Sequence, residues 1–123
     1  MECLGFHVLV ELYDCDKHIL NDVNMIEKVM VDSATKIGAT ILQVGFHQFA
    51  PQGVSGVILI AESHLTIHTW PELNYAAVDI FTCGDKIDPR KASIYISREL
   101  KASKIESKEI KRGKKSLSIS NLS

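Results

Sequence analysis

Apolar residues hold every second position from Leu4 through Phe6, Val8 and Val10 to Leu12, which is the period of a strand with one face buried. After Asp16 the period lengthens. Ile19, Val23, Ile26, Met30, Ala34 and Ile37 fall on one stripe at helical spacing, and Gly38 follows as a C-terminal stop. Thr40, Leu42, Val44 and Phe46 then alternate with Ile41, Gln43, Gly45 and His47, predicting a second strand that reaches about Phe49. Pro51-Gln52-Gly53 is a turn, and Val54 to Ala61 is an apolar, β-branched run that predicts a strand covered on both faces.

Drawn out as one strand, Val54 to Trp70 spans roughly 56 Å at ~3.3 Å per residue, whereas a domain of this size is about 35 Å across. The chain must bend, and the break in the apolar run at Ala61-Glu62-Ser63-His64 is where the pattern allows it. Pro71-Glu72-Leu73-Asn74 makes the next turn, and Tyr75 to Cys83 reads as a strand with Tyr75, Ala77, Asp79, Phe81 and Cys83 on one face. Asp88-Pro89 has the form of an N-cap and first helical residue, ahead of a stripe of Ala92, Tyr95, Ile96 and Leu100. Lys104 to Lys111, rich in Lys and Glu, suits an exposed edge strand. The order β-α-β-β-β-α-β predicts an α+β fold, a mostly antiparallel sheet with two helices on one face. Val57, Ile58, Leu59 and Ile60 are too apolar to leave the other face in water, so a homodimer through or beside the sheet is expected.

With 123 residues the chain is expected to be a single domain, 1–123. Hydrophobic content of 46%, charged content of 24% and a net charge of −1 exclude disorder and a strongly basic nucleic-acid binder. No apolar run reaches the ~18 residues of a spanning helix and Met1-Glu2-Cys3 opens no signal peptide, so no membrane is expected and the cytoplasm is. Cys3, Cys15 and Cys83 are odd in number and lack Cys-x-x-Cys spacing, which argues against a disulfide framework or a thiolate zinc site. Residues 1–100 hold 7 Lys and Arg against 13 Asp and Glu, residues 101–123 hold 7 against 2, and this basic end reads as a solvated, partly frayed tail.

The chemistry concentrates in Glu62-Ser63-His64-Leu65-Thr66-Ile67-His68-Thr69-Trp70-Pro71-Glu72, followed by Cys83. His64 and His68 would be adjacent on a helix, but on this β-branched strand they lie about 13 Å apart, beyond the reach of one zinc. A metal would need His7 or His47 from a neighbouring strand, and none is expected. A serine in a strained bend beside an imidazole can shift an acyl group from nitrogen to oxygen. Ser63 would attack the Glu62 carbonyl, and removal of the Ser63 α-hydrogen, with His68 as the candidate base, would eliminate the ester. The dehydroalanine left behind hydrolyses to a pyruvoyl group at a new amino end. Ser55, on the facing strand, could hydrogen-bond the tetrahedral intermediate. A pyruvoyl ketone forms a Schiff base with an amine and accepts the electrons freed when a carboxylate departs. Cys83 could return a proton to the carbon.

These residues resemble the prokaryotic S-adenosylmethionine decarboxylase proenzymes. The likeness runs from Leu4-Gly5 through Phe46-His47, Pro51-Gln52-Gly53-Val54-Ser55-Gly56, the eleven-residue run and Ala76-Ala77-Val78-Asp79-Ile80-Phe81-Thr82-Cys83-Gly84 to Asp88-Pro89, roughly residues 4 to 100. The resemblance implies a two-layer α/β sandwich that pairs as a dimer with sites near the interface. It implies cleavage between Glu62 and Ser63 into a β chain of residues 1–62 and an α chain of 63–123, with Ser63 becoming the pyruvoyl cofactor. Ser55, His68 and Cys83 would assist processing, and Cys83 would later act as proton donor. Phe49 and His68 would flank the adenine of S-adenosylmethionine, Glu72 would accept from the ribose hydroxyls, and Trp70 would shape the pocket. The product would be the aminopropyl donor for spermidine synthesis. Relatives with the same processing motif act on arginine or ornithine. A reading from another class is a silent dimer that binds nucleosides or polyamines with Ser63 intact.

Overall fold

The computed structural model describes residues 3–83 and 87–114. Its strands are β1 (Cys3–Tyr13), β2 (Ile41–Gln48), β3 (Val54–Ile60), β4 (Ser63–Trp70), β5 (Tyr75–Cys83) and β6 (Lys104–Lys114). They form one sheet in the order β2-β3-β4-β5-β1-β6, with every neighbouring pair antiparallel. The helices are α1 (Lys17–Leu20), α2 (Val23–Lys36) and α3 (Pro89–Glu99).

Alternation along the strands sends one set of side chains to a helix-covered face. Val8, Val10 and Leu12 of β1, Ile58 and Ile60 of β3, Leu65 and Ile67 of β4, and Val78 and Ile80 of β5 are buried there with Ile26, Val29, Met30 and Ala34 of α2 and Ala92 and Ile96 of α3. Each fully buried Leu or Ile contributes roughly 1.5–3 kcal/mol of transfer free energy, so this layer holds the sheet and helices together. The opposite face carries Ser55, Val57 and Leu59, His64, Thr66, His68 and Trp70, and Tyr75, Asp79, Phe81 and Cys83. Val57 and Leu59 are each 43% exposed there and no described helix covers them, so in this chain β3 is buried on one face and not, as its apolar run predicts, on both.

Three local features differ from the sequence pattern. The stripe after Asp16 belongs to two helices, because Asp16 caps α1 by accepting the His18 and Ile19 amides while Asp22 caps α2 by accepting the Met25 amide. Those amides also hold the Asp16 carboxyl below the usual carboxylate range, the Ile19 amide contributing most. Val54 to Trp70 is a full reversal of direction: Ile60 pairs with Ser63, leaving only Ala61-Glu62 as the loop, so the sheet has six strands where the pattern counts five. β6 runs on to Lys114 because it pairs with β1 along its whole length. The part of the expected frayed tail up to Lys114 is instead held in the sheet by that pairing, and the remainder lies outside the described residues. The α2 stop is as expected: Gly38 takes φ +78° and the Ala39 amide donates back to the Ala34 carbonyl.

β2 and β3 pack closely because Gly56 faces Phe46. A β-carbon on Gly56 would stand 2.0 Å from the Phe46 ring, so the ring occupies the space a side chain would need.

Candidate active site

The β3–β4 turn concentrates strain on one residue. Two-residue hairpin loops draw on Gly, Asn or Asp for the positive φ they require. The loop here is Ala61-Glu62, and the positive φ, 153°, falls on Ser63. Residues with a β-carbon rarely occupy that region, and holding one there costs about 1–3 kcal/mol. The turn is clamped on both sides. From β5, the Cys83 amide donates to the Glu62 carbonyl at 2.8 Å. From the entry to β2, the Thr40 amide donates to the Glu62 carboxylate at 3.1 Å, and the Ala61 amide donates to the Thr40 carbonyl at 2.8 Å. The carbonyl preceding Ser63 is therefore polarised by an N–H aimed at its oxygen, which favours attack at its carbon and steadies the oxyanion that attack creates. Ser63 pairs with Thr82 across the ladder, and the exposed Cys83 follows Thr82.

A second group stands at the other end of the same two strands. Ser55 Oγ and His68 Nδ1 are 2.7 Å apart, the last pair of the β3–β4 ladder. The His68 ring lies 6.4 Å from Trp70, which stacks on Tyr75 at 5.2 Å, and Tyr75 stacks in turn on Tyr13 at 5.4 Å. The Tyr75 hydroxyl donates to the Glu11 carboxylate at 2.7 Å; its pKa is raised by burial first and by Glu11 second. Phe49, exposed, follows β2 and meets His47 edge-on at 4.6 Å. Glu72 lies on the 3-10 turn Pro71–Leu73, beside a polar recess of about 340 Å³ that Lys17, His18 and Asn74 also line. A groove of about 450 Å³ runs over the open face between His47, Ser55, Val57, Thr66 and His68.

The predicted site residues thus fall into two groups, the candidate half-sites: Glu62, Ser63 and Cys83 at one end of β4, and Ser55, His68 and Trp70 at the other, with Phe49 after β2 and Glu72 on the following turn. One chain does not bring them together. Ser63 and His68 are five residues apart on one extended strand, roughly 16 Å at ~3.3 Å per residue.

Sequence reasoning missed the Thr40 clamp and the Cys83 amide, because both act through backbone atoms that carry no residue signature. It also missed a polar cluster between the half-sites. Arg112 can only donate, so its 3.3 Å contact makes His7 Nδ1 an acceptor and puts the proton on Nε2, 3.5 Å from Asp79 Oδ1. That last distance is too long for a good hydrogen bond. Thr66 donates to the other Asp79 oxygen at 3.1 Å. His64 lies 6.2 Å from His7, and burial first, then the neighbouring His7, push its pKa down. Among the described residues no group of three or more His, Cys, Asp or Glu side chains is placed to hold a metal, and no helix is long and apolar enough to cross a membrane.

Fold and site together define a class of two-layer sandwich proteins whose central hairpin presents a serine in a strained backbone, after a carbonyl held by an amide from the next strand. Comparison with known proteins gives the family. The S-adenosylmethionine decarboxylase family profile matches residues 6–113. The S-adenosylmethionine decarboxylase proenzyme of Caldicellulosiruptor saccharolyticus is 60% identical over 113 residues, 92% of this chain and 91% of that one. That of Clostridium tetani is 59% identical over 113 residues, 92% of this chain and 90% of that one. The crystal structure of the Aquifex aeolicus adenosylmethionine decarboxylase superposes with a TM-score of 0.86 at 35% identity, covering 92% of this chain and 93% of that one. The chain belongs to the S-adenosylmethionine decarboxylase family, and its class of activity is that of a carboxy-lyase.

Proposed function

We propose that this chain is a proenzyme that cuts itself between Glu62 and Ser63, keeps a pyruvoyl group made from Ser63, and then decarboxylates S-adenosylmethionine, supplying the aminopropyl donor for spermidine synthesis. The observation that carries the reading is Ser63 at φ 153° with the Glu62 carbonyl fixed by the Cys83 amide. In this reading Ser63 Oγ bonds to the Glu62 carbonyl carbon, the C–N bond breaks, and the oxyanion is held by the Cys83 N–H. The strained φ gives the step a driving force, since it is relieved when the peptide becomes an ester. A base then takes the Ser63 α-hydrogen, the Cβ–O bond breaks, and the Glu62 carboxylate departs. Water replaces the nitrogen as ammonia. The pyruvoyl ketone, once formed, supplies the electron sink that decarboxylation needs. Cys83, on the open face beside it, supplies the proton to the carbon that loses carbon dioxide.

The 16 Å gap between half-sites calls for two chains. A two-fold axis lying between two open faces and crossing β4 near Thr66 would set each Ser63 over His68 of the partner subunit, and the reverse. Six strands of about eight residues make a face of roughly 29 by 26 Å, about 750 Å², close to the ~800 Å² per partner of a stable interface. The exposed Val57, Leu59 and Trp70 on that face favour burial. Phe49, Trp70 and Glu72 of the second half-site would then receive the nucleoside. The cleaved dimer would work in the cytoplasm.

Denaturing mass spectrometry tests cleavage and its chemistry together. Gain of water and loss of ammonia make the two fragments sum to the precursor plus about 1 Da, whereas plain hydrolysis adds about 18 Da. Ser63→Ala should stay whole and inactive. Release of labelled carbon dioxide from S-adenosylmethionine, and not from arginine or ornithine, is the expected substrate result. Mixing uncleavable Ser63→Ala with uncleavable His68→Ala chains tests the shared site, since the mixed dimer keeps one intact pair and should cleave only its His68→Ala chain.

A further inference from the structure

The Ser55–His68 pair ends the β3–β4 ladder, and the next position is held by a side chain. Val54 and Thr69 are the next residues beyond it, one on each strand. The Val54 N–H donates to Thr69 Oγ1 at 2.9 Å, and that hydroxyl donates to the Leu20 carbonyl at 2.7 Å. Thr69 is only 6% exposed, and Val54 and Leu20 are buried as well. A second anchor comes from the next residue of the same corner. Asn21 Oδ1 accepts the Gly53 amide at 2.9 Å and Gln48 Nε2 at 3.0 Å. Gln48 Nε2 also reaches the Gly53 carbonyl at 3.0 Å, and the Phe49 amide donates to that carbonyl at 2.8 Å. The corner between α1 and α2, on the helix side, is therefore tied to the end of β2, the start of β3 and the end of β4. The residues it holds flank Ser55, His68 and Phe49 in the chain.

We infer that Thr69 and Asn21 are positioning residues, which fix the ends of β3 and β4 so that the Ser55 hydroxyl meets the His68 ring at hydrogen-bond distance. The inference rests on the reading in which that pair serves processing. Without the Thr69 hydroxyl, the Val54 N–H and Leu20 C=O are left buried and unpaired, and both strand ends must move to satisfy them. A displacement of about 1 Å at reacting groups can slow a reaction as much as about a hundredfold, even when its source is remote.

Thr69→Val removes the hydroxyl and keeps the shape; Thr69→Ser keeps the hydroxyl. Self-cleavage of freshly folded dimer is followed by denaturing mass spectrometry. The same substitutions in a Ser63→Ala background, which cannot cleave, are compared by the ¹⁵N NMR signal of His68 Nδ1, which reports the Ser55 hydrogen bond and which a purely structural role would not move. Thr69→Val is expected to cleave between about ten- and a hundredfold more slowly and to shift the Nδ1 signal. Thr69→Ser should match the wild type in both. Asn21→Ala should move both readouts in the same direction, and Asn21→Asp, which keeps the accepting oxygen, should not. Wild-type cleavage rate or an unshifted signal in Thr69→Val overturns the inference. Should that variant not fold, equal behaviour of Asn21→Ala and Asn21→Asp overturns it instead. A wild type that never cleaves defeats the processing reading, while the NMR comparison still decides whether the bridge positions His68.

Discussion

Replacing Ser63 by glycine and by alanine removes the same hydroxyl but treats the backbone differently. Neither variant can shift an acyl group, so both stay whole and can be compared in one covalent state. Alanine keeps a β-carbon at φ 153° and with it the strain of about 1–3 kcal/mol. Glycine relieves that strain but gives back about 0.5–1 kcal/mol through the greater freedom of its unfolded chain. The net advantage of glycine is about 0–2.5 kcal/mol. Unfolding entropy of ~2.1 cal/mol/K per residue over this chain is about 0.26 kcal/mol/K, so Ser63→Gly should melt up to about 10 °C above Ser63→Ala. Differential scanning calorimetry at equal protein concentration is the assay, because the proposed association would make Tm depend on concentration. A glycine variant that melts about 2–4 °C below the alanine variant would show that position 63 stores no strain, and the proposed driving force for cleavage would be lost with it.

Gly56→Ala pushes a β-carbon into the Phe46 ring and should cost about 1–3 kcal/mol of stability, read by urea denaturation; an unchanged midpoint would mean the ring is free to turn away. His64 has its folded-state pKa below the unfolded value, so its stabilising contribution is complete above about pH 6.5 and declines as pH falls from the unfolded pKa toward the folded one. Wild-type Tm should therefore fall more steeply below about pH 6.5 than that of His64→Gln, and parallel curves refute the assignment. Burial first, then the Asp14 charge, push the Cys15 thiol up to about 11, so iodoacetamide at pH 8 should leave it unlabelled until the protein unfolds; peptide mapping that finds it labelled in the native state contradicts this.

Where periodicity and capping agreed, the sequence could be read directly. β1, β5, the Gly38 stop and the Asp88-Pro89 helix start stand where pattern and cap chemistry predict them. The pattern after Asp16 resembles a single helix because Ile19, Val23 and Ile26 keep helical spacing across a corner that interrupts the backbone. Asn21-Asp22 is the signal that could have found the break, since a second capping residue inside a stripe has no use unless the helix restarts. For residues 54–70 a length limit fixes only that the chain turns, and cross-strand pairing makes the turn a hairpin. At the candidate site the residue types were legible and their grouping was not. The strand arithmetic that separates His64 from His68 separates Ser63 from His68 by one residue more, so an imidazole close in the motif is distant in space. Backbone donors such as the Thr40 and Cys83 amides exist at every residue, and only the folded register selects these two.

The strand order has a consequence for what the proposed scission would leave behind. A cut before Ser63 assigns β1, β2 and β3 to one fragment and β4, β5 and β6 to the other, so across the sheet ownership runs first, first, second, second, first, second. β1 is wedged between β5 and β6, bonded on both edges to the opposite fragment. The pieces are interlaced like fingers of two hands, and neither can leave while the sheet survives. Breaking the polypeptide therefore changes its ends without loosening its body.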